Sequence, residues 1–152
     1  MYAKSIILRI DDMVSTLNEP SFKDENKEKY SKEIERLRLS MKNVIITRDH
    51  DEKIIKEEWT SHGVLHRDDG PAYVTYNDGE NVHREEWYTD GKLSRTHPHY
   101  PVSNTYYKDG NIFMSCFVNP RYGDGLLCFK YYAGGNVKEE KCYDRFYDHQ
   151  YY

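Results

Sequence analysis

A chain of 152 residues has the length of one ordinary domain and can bury a core of its own. Lysine and arginine number 22 against 26 aspartate and glutamate, a formal charge of −4, which excludes nucleic-acid affinity driven by bulk phosphate neutralisation. Hydrophobic residues make up only 38%, and fifteen tyrosines help to fill the deficit, a balance suited to a thin two-sided sheet rather than a thick aliphatic core.

The opening MYAKSIILRIDDMV has an apolar run of three residues, Ile6 to Leu8, before acidic residues intervene, so neither a signal peptide nor a membrane span is predicted. From Ser5 to Leu17 the residues Ile6, Ile10, Met13, Val14 and Leu17 fall at helical spacing, and Asn18 to Pro20 end the element. A short amphipathic helix is expected, with a strand from Ile6 to Ile10 as the alternative that its β-branched start leaves open. Ser21 to Lys42 predicts a second helix. Ser21 and Asp24 resemble a capping box, Tyr30, Ile34, Leu37 and Met41 form one apolar stripe, and Glu25/Lys29 and Glu28/Lys32 are supporting pairs. Its narrow stripe calls for a single packing partner, the first helix or the sheet.

At Asn43 the period changes from helical to alternating. Val44 to Thr47, a polar turn at 48–53 and Ile54 to Trp59 predict a β-hairpin. Turn signals then recur at Ser61-His62-Gly63, Asn77-Asp78-Gly79, Thr89-Asp90-Gly91, Lys108-Asp109-Gly110 and Ala133-Gly134-Gly135, most of them after an aromatic. Glycine there supplies the positive φ of a tight hairpin turn, which makes the remainder a meander of hairpins. One pattern is written twice: EEWTSHGVLHR from Glu57 and EEWYTDGKLSR from Glu85, with Trp59/Trp87, Gly63/Gly91, Leu65/Leu93 and Arg67/Arg95 all 28 residues apart.

The tryptophan, the turn glycine and the run Leu65-His66-Arg67-Asp68-Asp69-Gly70-Pro71-Ala72 resemble the "WYxNGKLHRxDGPA" repeats of many phage, giant-virus and bacterial proteins, relatives of MORN-type repeats. The resemblance covers residues 57–95 well and 100–143 loosely, and residues 1–42 lie outside it. In the second copy LSRTHPHYP replaces the HRxDGPA run, leaving Leu93 and Arg95. The resemblance implies an open antiparallel sheet of stacked hairpins with a binding or scaffolding role, encoded by a phage or mobile element and directed at a host protein.

The predicted architecture is therefore α+β: an N-terminal helical pair in residues 1–42, then an open antiparallel β-meander of stacked hairpins in residues 43–152. Such a sheet has two unpaired edges and aromatic faces to cover, a task for the helices and for a partner or a second copy forming a homodimer.

Several constellations are candidates for chemistry. His66, Arg67, Asp68 and Asp69 form a polar cluster that suits an acid/base pair or two metal ligands, and His66, Arg67 and Asp68 offer the alternative of a binder or hydrolase of a small nucleotide-like ligand. The structural reading gives Asp68 and Asp69 to the turn backbone, and His66 and Arg67 to the carboxylates Glu57/Glu58 or Glu85/Glu86 of a neighbouring hairpin. His97 and His99 lie two apart, but Pro98 and Pro101 predict a loop, and no metal is expected there. Cys116, Cys128 and Cys142 are odd in number and widely spaced, and read as reduced thiols in a cytoplasmic protein. There is no G-x-x-x-x-G-K, G-x-S-x-G or H-E-x-x-H motif, and no cofactor is expected. Catalysis is not expected either. The predicted contact surface joins the loop Ser94 to Asn104, through Arg95, His97, His99 and Tyr100, to Tyr106, Tyr107, Lys108, Lys130, Tyr131 and Tyr132. Tyrosine gives large contact area at low entropy cost, and these cations favour an acidic protein surface as partner. Stacking of single-stranded nucleic acid on the same tyrosines and membrane association are both disfavoured by the acidic balance.

Overall fold

The computed structural model describes residues 2–95, 99–118 and 125–143, with residues 142 and 143 described by their backbone alone. The chain divides into two compact units, the first ending at Ile45 and the second beginning at Ile46, close to the change of hydrophobic period at Asn43.

In the first unit, helix α1 (Ala3–Leu17) buries Ala3, Ile6, Ile10 and Met13 along one stripe, which settles the helix-or-strand alternative in favour of helix. Helix α2 (Asp24–Ser40) buries Ile34 and Leu37. It starts two residues later than a capping box at Ser21 and Asp24 would place it, with Lys23 at the N-cap and no side-chain cap. The reason lies before the helix, where the Phe22 N–H donates to Glu19 O in a turn and its ring meets Tyr30 edge-on at 4.9 Å. That holds Ser21 outside the helix, and Asp24 pairs with Lys27 at 2.6 Å instead. The Glu28/Lys32 pair forms at 2.6 Å, whereas Glu25 turns to Lys23. Glu33 joins the two helices, accepting from Arg9 of α1 at 3.0 Å and from Arg36 at 2.7 Å. Neither helix is long and apolar enough to cross a membrane.

The rest is antiparallel strand: β1 (Val44–Arg48), β2 (Ile54–Ser61), β3 (Val64–Leu65), β4 (Tyr73–Asn77), β5 (Asn81–Glu86), β6 (Tyr88–Thr89), β7 (Lys92–Leu93), β8 (Ser103–Tyr106), β9 (Ile112–Val118), β10 (Leu126–Tyr131) and β11 (Val137–Tyr143). The main sheet runs β1-β2-β4-β5-β8-β9-β10-β11, with β3 folded back on β2 and β6 paired to β7 as a separate small hairpin. This is the expected meander. All five turn glycines adopt positive φ, between +71° and +86°.

The register repeats more strictly than the sequence does. Tyr76 pairs with Val82, Tyr106 with Ile112 and Tyr131 with Val137, and in each hairpin a β-bulge falls immediately before the tyrosine. Side chains alternate between faces, so one row across the sheet reads Glu57, Val74, Glu85, Asn104, Ser115 and Phe129, and the row behind it reads Glu58, Tyr73, Glu86, Ser103, Cys116 and Cys128. Cys116 and Cys128 are joined by a disulfide, which corrects the reading of them as reduced thiols. Twelve residues separate them in sequence, yet they face each other directly across β9 and β10, a register that cysteine spacing does not reveal.

The sheet has two dissimilar ends. At one, the hairpin turns stack: Gly79 lies against Lys53, the Asn81 side-chain amide donates to Lys108 O, and the Tyr107 hydroxyl donates to Tyr131 O at 2.8 Å. Two glycine substitutions separate turn strain from turn stacking. Gly110→Ala places a side chain at φ +86° with nothing within 4 Å, whereas Gly79→Ala at φ +71° also drives a methyl to 2.6 Å from Lys53 Cβ. Gly110→Ala is expected to cost about 1–2 kcal/mol from the left-handed backbone, and Gly79→Ala a further 1–3 kcal/mol or so from overpacking. Denaturant midpoints check this, and equal losses at the two sites would disprove the close stacking of adjacent turns.

Candidate functional site

At the opposite end of the sheet the long connections leave β2 and β5, and there the duplicated sequence makes duplicated contacts. Trp59 N–H donates to Ala72 O and His66 N–H to Trp59 O, while Trp87 N–H donates to Val102 O and Ser94 N–H to Trp87 O. Arg67 lies over the Trp59 ring at 3.7 Å and Arg95 over the Trp87 ring at 4.0 Å. Arg67 donates to Pro71 O at 3.4 Å, and Arg95 to Pro101 O at 3.1 Å. The second copy is therefore not abandoned after Arg95. Pro101 and Val102 stand where Pro71 and Ala72 stand in the first copy, and the connection between arginine and proline is two residues longer. The insertion hides the correspondence from a comparison at a fixed offset of 28.

A second duplicated feature sits on the strands. Glu57 is fully buried and Glu85 nearly so. Buried carboxylates are costly unless hydrogen-bonded, and each receives a tyrosine hydroxyl: Tyr76 donates to Glu57, and Tyr106 donates to Glu85 at 2.6 Å. Trp59 Nε1 adds a donor to Glu57 at 3.4 Å, and the Asn104 amide adds one to Glu85 at 3.1 Å. Ser115 then donates to Asn104, extending the chain to β9. Burial, reinforced by the Glu85 carboxylate, holds the Tyr106 hydroxyl well above the usual phenol range, so it stays a donor. Tyr106, expected from the sequence on a contact surface, turns inward to Glu85. Glu57 and Glu85 are expected from the sequence only as partners, although a carboxylate kept two residues before each tryptophan is a visible signal.

His66, Arg67 and Asp68 form a cluster of neighbours with divided duties. His66 Nδ1 accepts the Asp90 N–H at 3.1 Å and lies 3.0 Å from the Asp90 carboxylate, while its Nε2 lies 3.4 Å from Asp68. Its carboxylate neighbours are thus Asp90, on the turn between β6 and β7, and Asp68, in place of the glutamates expected for it. Gly91 N–H to Leu65 O and Arg67 N–H to Tyr88 O complete the seam between the two small hairpins. The two carboxylates address opposite ring nitrogens, so the three groups do not converge on one point, and among the described residues no trio of His, Cys, Asp and Glu is placed to hold a metal. Asp69 accepts from Arg67 Nε at 2.7 Å, and that hydrogen bond holds its carboxyl below the usual range.

The remaining predicted contact residues separate into groups. Arg95 and Tyr100 come together at the connection end, 4.9 Å apart, with Tyr100 and His99 exposed. His97 lies outside the described residues. Tyr107, Lys108, Tyr131 and Tyr132 gather at the turn end, where Tyr107 also packs on Phe113 and the exposed Tyr132 lies under Lys138. Lys130 pairs with Glu139 at 3.4 Å on the face opposite Glu85 and Tyr106. The nine described residues thus do not form one patch.

Two measurements check these roles. Tyr76→Phe and Tyr106→Phe each remove one donor from a buried carboxylate and are expected to cost similar amounts, about 1–3 kcal/mol, by chemical denaturation. Unchanged midpoints would remove both hydroxyls from the framework. Asp69 has a folded pKa below its ordinary 3.8, so its stabilisation is complete above that value and is lost as pH falls through the lower folded one. Asp69→Asn is expected to flatten the acid limb of the stability profile below about pH 4, and an unaltered limb would show that the Arg67 pair contributes nothing. Comparison of the chain with protein families, with curated proteins and with solved structures returned no match.

Proposed function

We propose that the chain is a small non-catalytic protein-binding module. The observation that carries this reading is duplication. The polar groups with most capacity for chemistry, the stacked arginines and the buried glutamates, make the same contacts in two consecutive units, which is how a framework is used, whereas a catalytic group is needed once. The alternative, a nucleotide-like ligand held by His66, Arg67 and Asp68, would depend on a guanidinium whose side chain is only 5% exposed and already engaged with Trp59 and Asp69.

The surface proposed for a partner is the turn-end patch of Tyr107, Lys108, Tyr131 and Tyr132, with Tyr100 and His99 as a separate contact at the other end. The hydrogen bond from Tyr107 to Tyr131 O brings two segments of the sequence reading side by side, and Lys108 and Tyr132 remain largely exposed next to it. Tyrosine with lysine favours an acidic protein surface. The motif likeness to phage and viral repeats supports a host protein as that partner, in the host cytoplasm. In that location the thiol pool can reduce the Cys116–Cys128 bond, and the burial of both residues slows that exchange.

The test is capture of host proteins by immobilised chain, run in parallel with Tyr132→Ala, Lys108→Glu and Tyr100→Ala. A specific partner is expected to lose about tenfold in affinity for the first two variants while melting temperatures stay within about 2 °C of the parent. Binding unaffected by all three would move the site elsewhere. A melting shift on adding nucleotides, abolished by His66→Ala, would replace this reading with the ligand-binding one.

A further inference from the structure

The main sheet ends in a hairpin, β10–β11, whose outer strand is an edge of the sheet. Among the described residues β11 has β10 as its one strand neighbour, and β10 is joined to the preceding unit through its ladder with β9. That ladder comprises the pairs Leu126/Val118, Leu127/Phe117, Cys128/Cys116, Phe129/Ser115 and Lys130/Met114, and the disulfide lies at its centre. The equivalent positions in the two earlier units are Glu58 facing Tyr73 and Glu86 facing Ser103, so the covalent link is peculiar to the terminal unit among the three. In arrays of stacked units stability is the sum of each unit and its interface with its neighbours, and end units open first. A bond in the middle of the end unit's ladder therefore acts where opening begins.

We propose that Cys116–Cys128 is a redox-operated clamp on the C-terminal hairpin: oxidised, it fixes β10–β11 to the sheet; reduced, it lets this unit alone open. Formation balances by thiol–disulfide exchange with a small-molecule disulfide such as oxidised glutathione. One thiolate attacks the reagent, forming a mixed disulfide and releasing one small thiol. The second then attacks the protein sulfur of that mixed disulfide and releases the other. Two protein thiols become one bond, and the two electrons and two protons leave on two small thiols. Both cysteines are buried, at 5% and 3% exposure, so reduction waits on transient opening of the same ladder that the bond secures. Lys130, Tyr131 and Tyr132 ride on this hairpin. An effect of the clamp on partner binding would rest on the surface proposed above, whereas the clamp itself is testable without any partner.

The experiment uses the full chain equilibrated with oxidised or reduced glutathione, followed by maleimide counting after denaturation and by hydrogen exchange of the native protein. The oxidised chain is expected to take at most one maleimide and to carry at most one glutathione, each on Cys142, and the reduced chain three maleimides. On reduction, amide protection in 126–131 and 137–143 should fall by about tenfold or more while 54–61 and 73–86 keep theirs. The Cys116→Ser/Cys128→Ser double variant should show the reduced pattern under both conditions, and Cys142→Ser should respond like the parent. Three maleimides after equilibration with oxidised glutathione would overturn the proposal. So would unchanged protection on reduction, or a loss spread over the whole sheet.

Discussion

The fold of the sheet unit depends on an arginine laid over a tryptophan at the end of a strand. Arg67 on Trp59 and Arg95 on Trp87 each combine a cation–π contact with a hydrogen bond to a proline carbonyl across the connection. A desolvated contact of this kind contributes about 2 kcal/mol, and the carbonyl bond roughly another 1 kcal/mol. Together these contacts tie a long connection down at both of its ends. Without them the chain between β2 and β4 would be held by its β3 pairing, its backbone bonds and the seam at His66 alone. Lysine could not replace either arginine, because a point charge cannot stack on the ring and point a second nitrogen along the loop.

The buried glutamates meet a second requirement of the same architecture. A single sheet layer has little aliphatic depth, so polar residues enter its interior, and their donors and acceptors must be matched there. Glu57 with Tyr76, and Glu85 with Tyr106 and Asn104, do this with side chains from adjacent strands. Each such bond also fixes register, since a slip of one residue would send the tyrosine to the other face. The third unit departs from the pattern, with Ser115 in the glutamate's row, Phe117 meeting Phe129 edge-on at 6.0 Å, and a disulfide in the row behind. Polar matching yields to aromatic and covalent linkage towards the chain's end.

This division of labour shapes the functional reading. Residues that look reactive in sequence are largely engaged in holding units together, and the exposed groups left for the proposed partner lie at the turn end and at His99 and Tyr100 of the longer second connection. The insertion of two residues between Arg95 and Pro101 lengthens that connection without releasing its two anchors. The frame is kept, because both anchors make the same contacts in the longer connection as in the shorter one.

The sequence by itself determined the local elements. The stripe of Ile34 and Leu37, the change of period at Asn43 and the five turn glycines sufficed, because each depends on a few neighbouring residues and on backbone sterics, while the choice between helix and strand at Ile6 to Ile10 waited on the burial of Ala3, Ile6, Ile10 and Met13 along one stripe. It also showed the duplication, through two tryptophans and two arginines at one offset. Pairing across the chain was decided by tertiary structure alone. That Pro101 answers to Pro71 despite an insertion, that Tyr106 turns to Glu85 instead of to solvent, that His66 reaches Asp90, and that Cys116 faces Cys128 all follow from strand register. Register is set by the summed fit of every bulge, turn and buried side chain in the sheet, and no stretch of sequence read alone contains that sum.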